Sequence, residues 1–294
     1  MQVLPIRKEN MSLYLDNAEL QALLPSLLQQ VREIVIEAGN EIMSVYHSSF
    51  DINIKTDDSP VTTADIAANK LIEEALSTLE IIFPIVSEES PKRSFKERLA
   101  METYWLIDPL DGTKEFINGS DHFTVNIALV HQNRSILGVV YAPALEKSYY
   151  AHNGSGSFVQ QGKRISDETK KIQAREFTKD KTVFVASRSH TGDMMKEFLN
   201  NFQADLGKYE LKNVGSSLKM CMVAEGKVDL YPRLWLTSEW DTAAAHCIVN
   251  EAGGKIVQTD MSPLLYNSKD SLLNPYFFVV AKNHIKWDKY LPTS

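Results

Sequence analysis

The stretch Trp105-Leu106-Ile107-Asp108-Pro109-Leu110-Asp111-Gly112-Thr113 decides how the rest of the chain is read. Tyr104 to Ile107 is a short aromatic and β-branched run, the mark of a core strand, so Asp108 sits where that strand emerges. Pro109 fixes its own φ and presses Asp108 toward extended backbone. Asp111-Gly112 reads as a turn pair; Gly112 lets the backbone approach a ligand, and Thr113 adds a hydroxyl beside N–H groups suited to a phosphate. Mg²⁺ takes oxygen ligands and binds through a few carboxylates plus substrate phosphate. An Asp-Gly pair alone is most often an ordinary turn. The full Asp-Pro-x-Asp-Gly-Thr string after an apolar strand favours a metal.

The chain has 294 residues, 44% hydrophobic and 23% charged, values of a globular protein with ample material for a core. Lys and Arg number 31 against 38 Asp and Glu, and the net charge of -7 argues against a general nucleic-acid or anionic-membrane surface. Any anionic ligand must then be met by local cations or by metal. No apolar run has the length of a signal core or a membrane helix, so the expected place is the cytoplasm, free or peripheral at the inner membrane. Met11 is an alternative start. Cys221 and Cys247 fall in apolar helical patterns and read as buried, reduced thiols.

From Leu27 the apolar positions Val31, Ile34, Val35, Ala38, Ile42 and Val45 recur at three and four, an amphipathic helix of about five turns. Thr62-Thr63 caps a second helix with Ala68, Leu71, Ile72, Ala75, Leu76 and Leu79 on its inner stripe. Strands follow at 81–86, 104–107, 125–130, 137–141, 148–151 and 157–160, and their short links imply an antiparallel sheet packed on the two helices. Beyond a polar stretch from Gln161 to Lys181 the rhythm changes. Strands at 183–186, 228–231 and 277–281 alternate with helices at 193–202, 217–224 and 242–252, which suggests a smaller mixed α/β layer. The expected division is an extension over 1–18, an α+β unit over 19–180 and an α/β unit over 181–294.

Three more acids stand at special points. Asp65 lies in the first turn of the second helix, where the dipole favours a carboxylate. Glu88 follows the strand ending at Val86. Asp241, in Glu239-Trp240-Asp241-Thr242-Ala243-Ala244, opens a helix stopped by Gly253-Gly254. Each has an ordinary reading as a helix-start or loop acid. Strand ends and helix starts are nevertheless where side chains from separate elements converge on one cleft.

The order of helix-start Asp65, Glu88-Glu89, DPLDGT and distant WDTAA…EAGG resembles the lithium-sensitive, Mg²⁺-dependent phosphatase superfamily of inositol monophosphatase and fructose bisphosphatase. The resemblance spans about residues 20 to 281. It implies a layered αβαβα sandwich and a metal-cluster phosphomonoesterase using two or three Mg²⁺ ions. Carried over by motif, Glu88, Asp108, Asp111, Asp241 and the Leu110 carbonyl are the implied metal ligands. Asp65 and Thr113, with Glu88, are the implied water-activating group. Ser187, Ser189 and His190 lack a G-x-S-x-G setting and do not read as a nucleophile group.

In the second half, Val185-Ala186-Ser187-Arg188-Ser189-His190, Gly215-Ser216-Ser217-Leu218-Lys219 and Asp229-Leu230-Tyr231-Pro232-Arg233 resemble the 3'(2'),5'-bisphosphate nucleotidases, the bacterial CysQ branch most closely. A substrate with two phosphates needs metal for the scissile one and separate cations for the other, which Lys219 and Arg233 provide. His190 and Ser216 complete the expected nucleotide site, with Asp111, Gly112, Thr113 and Asp241 lining its reactive end. The bulky loop Leu234-Trp235-Leu236 departs from that pattern and leaves the wall around the base open. The expected reaction is hydrolysis of adenosine 3',5'-bisphosphate to AMP in sulfur assimilation, with the sulfated form PAPS as a further substrate. The competing readings are an inositol-1-phosphate or sugar-phosphate phosphatase, and a metal-dependent nucleotide binder without turnover.

Overall fold

The computed structural model describes residues 15–48, 52–54, 60–187, 192–283 and 285–292. Met11 and His190 lie outside the described residues.

Helix α1 (Asn17–Tyr46) starts well before Leu27 and carries Pro25 in its interior. An interior proline costs about 3 kcal/mol, but each fully buried leucine contributes about 2 kcal/mol, and Leu20 and Leu24 are buried upstream. A capping box completes the start: Asp16 Oδ1 accepts from the N–H groups of Ala18 and Glu19, and Glu19 accepts from Asp16 N. A short antiparallel pair, β1 (Ile52–Ile54) and β2 (Pro60–Thr62), which the periodicity did not reveal, leads into α2 (Thr63–Ser77), capped by Thr62 as expected.

The first sheet has seven strands in chain order: β3 (Ile85–Ser87), β4 (Thr103–Asp111), β5 (Thr124–His131), β6 (Arg134–Ala142), β7 (Lys147–His152), β8 (Gly156–Gln161) and β9 (Thr169–Ile172). It is antiparallel except that β3 runs parallel to β4 at one edge. Strand β9 lies inside the polar stretch that reads as a boundary; its pattern is exposed except for Ile172, so it has almost no apolar signal. The short helices α3 (Phe95–Leu99) and α4 (Thr113–Ile117) flank β4.

The second sheet is mixed, in the order β11-β10-β12-β14-β13. Its strands are β10 (Val183–Ala186), β11 (Glu210–Asn213), β12 (Leu230–Arg233), β13 (Lys255–Gln258) and β14 (Phe277–Val280), with helices α5 (Asp193–Leu206), α6 (Leu218–Ala224) and α7 (Glu239–Glu251) between them. Three apolar cores define five layers. One lies between α1/α2 and the first sheet, one holds α6 and α7 between the two sheets, and one joins the second sheet to α5. This is the αβαβα sandwich. Gly138 on β6 lets α7 sit directly on the sheet, since a Cβ there would meet the Ala244 carbonyl oxygen at 2.0 Å. Cys221 and Cys247 are both free and buried in this middle layer.

Candidate active site

The acids gather at the C-terminal end of β4. Tyr104 and Leu106 face the middle layer while Trp105 and Ile107 face α1 and α2, so strand alternation aims Asp108 at the middle layer. The strand does not end at Ile107 as the sequence suggests. It continues to Asp111 through a register shift, with Asp108 opposite Asn126 and Asp111 opposite Thr124. Two residues of β4, Pro109 and Leu110, thus oppose Val125 alone, a bulge that tolerates Pro109 and re-aims both aspartates. Gly112, at φ +94°, then turns directly into α4, whose first residue is Thr113.

Asp65 and Asp241 are held by the same device. Each is the third residue of its helix and closes a capping box, so one carboxylate oxygen is committed to the backbone. Asp65 Oδ2 accepts from Thr62 N at 2.7 Å and Thr62 Oγ1 at 2.6 Å, leaving Oδ1 to accept from Thr113 Oγ1 at 3.2 Å. Asp241 Oδ2 accepts from Ser238 N at 2.9 Å. The ordinary helix-start role is therefore real for both residues. Glu88 follows β3, its N–H donating to the Ile107 carbonyl at 3.2 Å. The Leu110 carbonyl accepts from Thr113 Oγ1 at 3.3 Å.

Electrostatics bind these residues into one group. Burial, then the charges of Glu88, Asp111, Asp241 and Asp65, push the Asp108 carboxyl well above its usual range. Burial, then Asp111 and Glu88, do the same to Asp241. Asp108 is 1% exposed and accepts a hydrogen bond from Leu110 N at 3.1 Å. Mutually repelling, buried carboxylates of this kind fit a hard divalent cation, which supplies the missing positive charge. Among the described residues no three acids, histidines or cysteines are drawn into a closed metal-ligand group.

Beside the acids lies a cavity of about 150 Å³ lined by Asp111, Gly112, Ser216, Lys219, Arg233 and Asp241, among others. Lys219 is 6% exposed, and burial lowers its ammonium to about 8; Nζ donates to the Ser216 carbonyl at 2.7 Å. Ser216 is held at φ +48°. Arg233 donates to the Leu236 carbonyl at 2.7 Å. Asp229, from the same motif, serves structure instead, pairing with Arg175 and accepting from Val183 N at 2.7 Å. A larger open hollow of about 800 Å³ runs along β3, lined by Glu73, Ile82, Ser90 and Arg93, and none of the converging acids lines it.

Two site residues were not singled out from the sequence. Ser217 donates to Asp111 Oδ2 from both N and Oγ, each at 2.6 Å, and Asn126 Nδ2 donates to Ser217 Oγ at 2.8 Å. Asn126 directly faces Asp108 across the ladder. The signal for Ser217 lay in the GSSLK motif itself, beside Ser216.

Residues 24–286 match the profile of the inositol monophosphatase family. The chain belongs to that family. It is 45% identical over 255 residues to the 3'(2'),5'-bisphosphate nucleotidase CysQ of Salmonella typhimurium, covering 86% of this chain and 99% of that protein. The Haemophilus influenzae protein of the same name is 38% identical over 262 residues, 89% of this chain and 95% of its own. The crystal structure of CysQ from Bacteroides thetaiotaomicron, described as a bacterial member of the inositol monophosphatase family, superposes with a TM-score of 0.78 at 38% identity. It covers 88% of this chain and 98% of that one. The inositol monophosphatase fold is thus the sandwich described above. Among the described residues no helix is long and apolar enough to cross a membrane.

Proposed function

We propose that this chain is a Mg²⁺-dependent 3'(2'),5'-bisphosphate nucleotidase that hydrolyses adenosine 3',5'-bisphosphate to AMP and phosphate, with PAPS as a further substrate, in sulfur assimilation. The observation that carries this reading is the buried Lys219, lining one cavity with Arg233, Asp111 and Asp241. Acids for a metal-bound phosphate and a desolvated cation for a second phosphate then stand side by side. The relatives of 45% and 38% identity bear the matching name. The proposed setting is the cytoplasm, with the two units meeting near residue 180.

Glu88, Asp108, Asp111, Asp241 and the Leu110 carbonyl are the residues that would hold two or three Mg²⁺ ions. When bound, Mg²⁺ supplies the charge that acidifies a water and steadies the leaving oxygen. Thr113 Oγ1, bonded to Asp65 Oδ1 at 3.2 Å, orients that water, and Asp65 holds its proton. Ser217 holds one oxygen of Asp111, which leaves the other for a metal. Gly112 and Thr113 present N–H groups to the scissile phosphate, and Lys219, Arg233, Ser216 and His190 receive the remainder of the nucleotide.

Phosphate release with Mg²⁺ from adenosine 3',5'-bisphosphate, AMP, inositol 1-phosphate and fructose 1,6-bisphosphate tests the reading. Adenosine bisphosphate is expected to have the highest kcat/KM. Equal or better turnover of inositol phosphate would favour a sugar-phosphate phosphatase, and no turnover of any of them a nucleotide binder.

A further inference from the structure

Among the described residues, the exposed large apolar side chains are Ile52, Ile54, Ile66, Leu99, Met194, Trp235, Leu236 and Leu273, and Trp235 is the sole aromatic in that set. It is 49% exposed, and its neighbour Leu236 is 53% exposed. Nothing in the core requires this, since the loop is anchored from below by Leu234, 8% exposed, in the core beneath the second sheet. Both ends of the loop are tied. Arg233 donates to the Leu236 carbonyl at 2.7 Å, and Asn274 N donates to the Thr237 carbonyl at 2.7 Å. An indole displayed on a braced loop loses little entropy when it takes a ligand.

The place of this loop gives the ligand. A narrow hollow beside Trp235, also lined by Met195 and Pro232, shares Ser187, Tyr231 and Arg233 with the acid-lined cavity. Arg233 is thus the common wall between the phosphate end and the indole. The hollow measures only about 10 Å³, too small to swallow a ring, so a base could be met here only at its mouth. Aromatic side chains accept nucleobases by stacking, whichever base is offered.

We propose that Trp235 is the base platform of this enzyme: it stacks the nucleobase of a nucleoside bisphosphate whose phosphate is held by Arg233, and so selects nucleotides over other phosphate esters. The proposal rests on the nucleotidase reading above and names the residue that gives it base selectivity.

The test compares kcat/KM for adenosine 3',5'-bisphosphate with that for its abasic counterpart, 1-deoxyribose 3,5-bisphosphate. The wild type is expected to prefer the nucleotide by roughly tenfold to a hundredfold, the range of one aromatic–base stack. Trp235→Ala and Trp235→Leu are expected to bring that ratio close to one, chiefly through KM, while Trp235→Phe keeps most of it. Nucleotide binding should also quench indole fluorescence in the wild type and do so less in Trp235→Phe. If the wild type prefers adenosine bisphosphate over inositol 1-phosphate but Trp235→Ala leaves the nucleotide-to-abasic ratio unchanged, the platform is refuted and the nucleotidase reading stands. If Trp235→Leu keeps the ratio, apolar bulk rather than stacking is responsible and the proposal is overturned. If the wild type prefers inositol 1-phosphate, both fall together.

Discussion

Ser217 places its backbone N–H and its hydroxyl on one oxygen of Asp111, each at 2.6 Å, across 106 residues of sequence. The bond joins the bulged end of β4 to the turn that opens α6, so the two halves of the chain share one carboxylate. Ser217 Oγ also lies 2.8 Å from the Asp241 carbonyl and accepts from Asn126. Outer residues that orient metal ligands typically contribute tenfold to a hundredfold in metal affinity or activity. Ser217→Ala is therefore expected to weaken Mg²⁺ dependence by about tenfold or more in titrations of phosphate release. Unchanged Mg²⁺ dependence would remove Ser217 from the site.

Asp111→Asn removes a charge from a group whose members repel one another. Activity is expected to fall on the order of a hundredfold or more, because a charge that would hold the metal is gone. Without Mg²⁺ the variant should melt at or above the wild-type temperature, since mutual repulsion is relieved. Mg²⁺ should raise the wild-type Tm, as any ligand of the native state does, and raise the variant's less. Calorimetry with and without Mg²⁺ checks both; an equal shift in the two proteins would count against the ligand assignment.

The candidate site residues that also have a local structural role were the legible ones. Asp65 and Asp241 are third-position helix acids, Glu88 follows a buried strand, and Asp108 continues an apolar alternation, so each left a periodic or capping trace. Asn126 left none, because a single polar residue that acts across layers has no neighbour in sequence to announce it, and Ser217 was marked only by its place in the GSSLK motif. Strands β9 and β11 were hidden for the opposite reason: at the sheet edges they bury little, and Thr169-Lys170-Lys171 and Glu210 look like loop. Asp108 read as the strand's end and Asp111-Gly112 as a turn, whereas β4 continues to Asp111 through a bulge, since proline and a re-aimed carboxylate suit either.

Gly138→Ala tests how closely the middle layer is packed. The added methyl would meet the Ala244 carbonyl oxygen at 2.0 Å, and backbone on both sides leaves it nowhere to go. Overpacking costs typically 1–3 kcal/mol and occasionally more, so a loss of about 3 kcal/mol is expected in urea unfolding. Helix α7 carries Asp241, so Mg²⁺ dependence should weaken as well. A variant of wild-type stability would mean that α7 slides freely on β6.

His246, 8% exposed on α7 and bonded to Tyr266 Oη at 2.8 Å, is pushed down to about 4 by burial. Its ordinary value is 6.5. Between these values the unfolded chain binds a proton that the folded chain refuses, so stability rises with pH across that window and is lost as pH falls toward 4. The full difference is on the order of 3 kcal/mol. Urea unfolding at pH 7 and pH 5 should show a smaller drop for His246→Gln than for the wild type; parallel drops would place the acid sensitivity elsewhere.

Lys219, in the proposed role, is expected to set the pH dependence of substrate capture. Burial holds its ammonium at about 8 against an ordinary 10.5. Between these values the unfolded chain binds the extra proton, so burying Lys219 penalises folding below about 8 and the penalty fades toward 10.5. Capture of the second phosphate needs the charged form, so binding runs the other way from stability. The kcat/KM for adenosine bisphosphate is expected to fall as pH rises through about 8, because that ratio reports groups of the free enzyme. Lys219→Arg keeps its charge and should move this limb beyond the measurable range, while Lys219→Gln should abolish it at a lower plateau. A limb that stays near 8 in Lys219→Arg would assign it to another group, and Lys219 would then lose its place as the cation that meets the second phosphate.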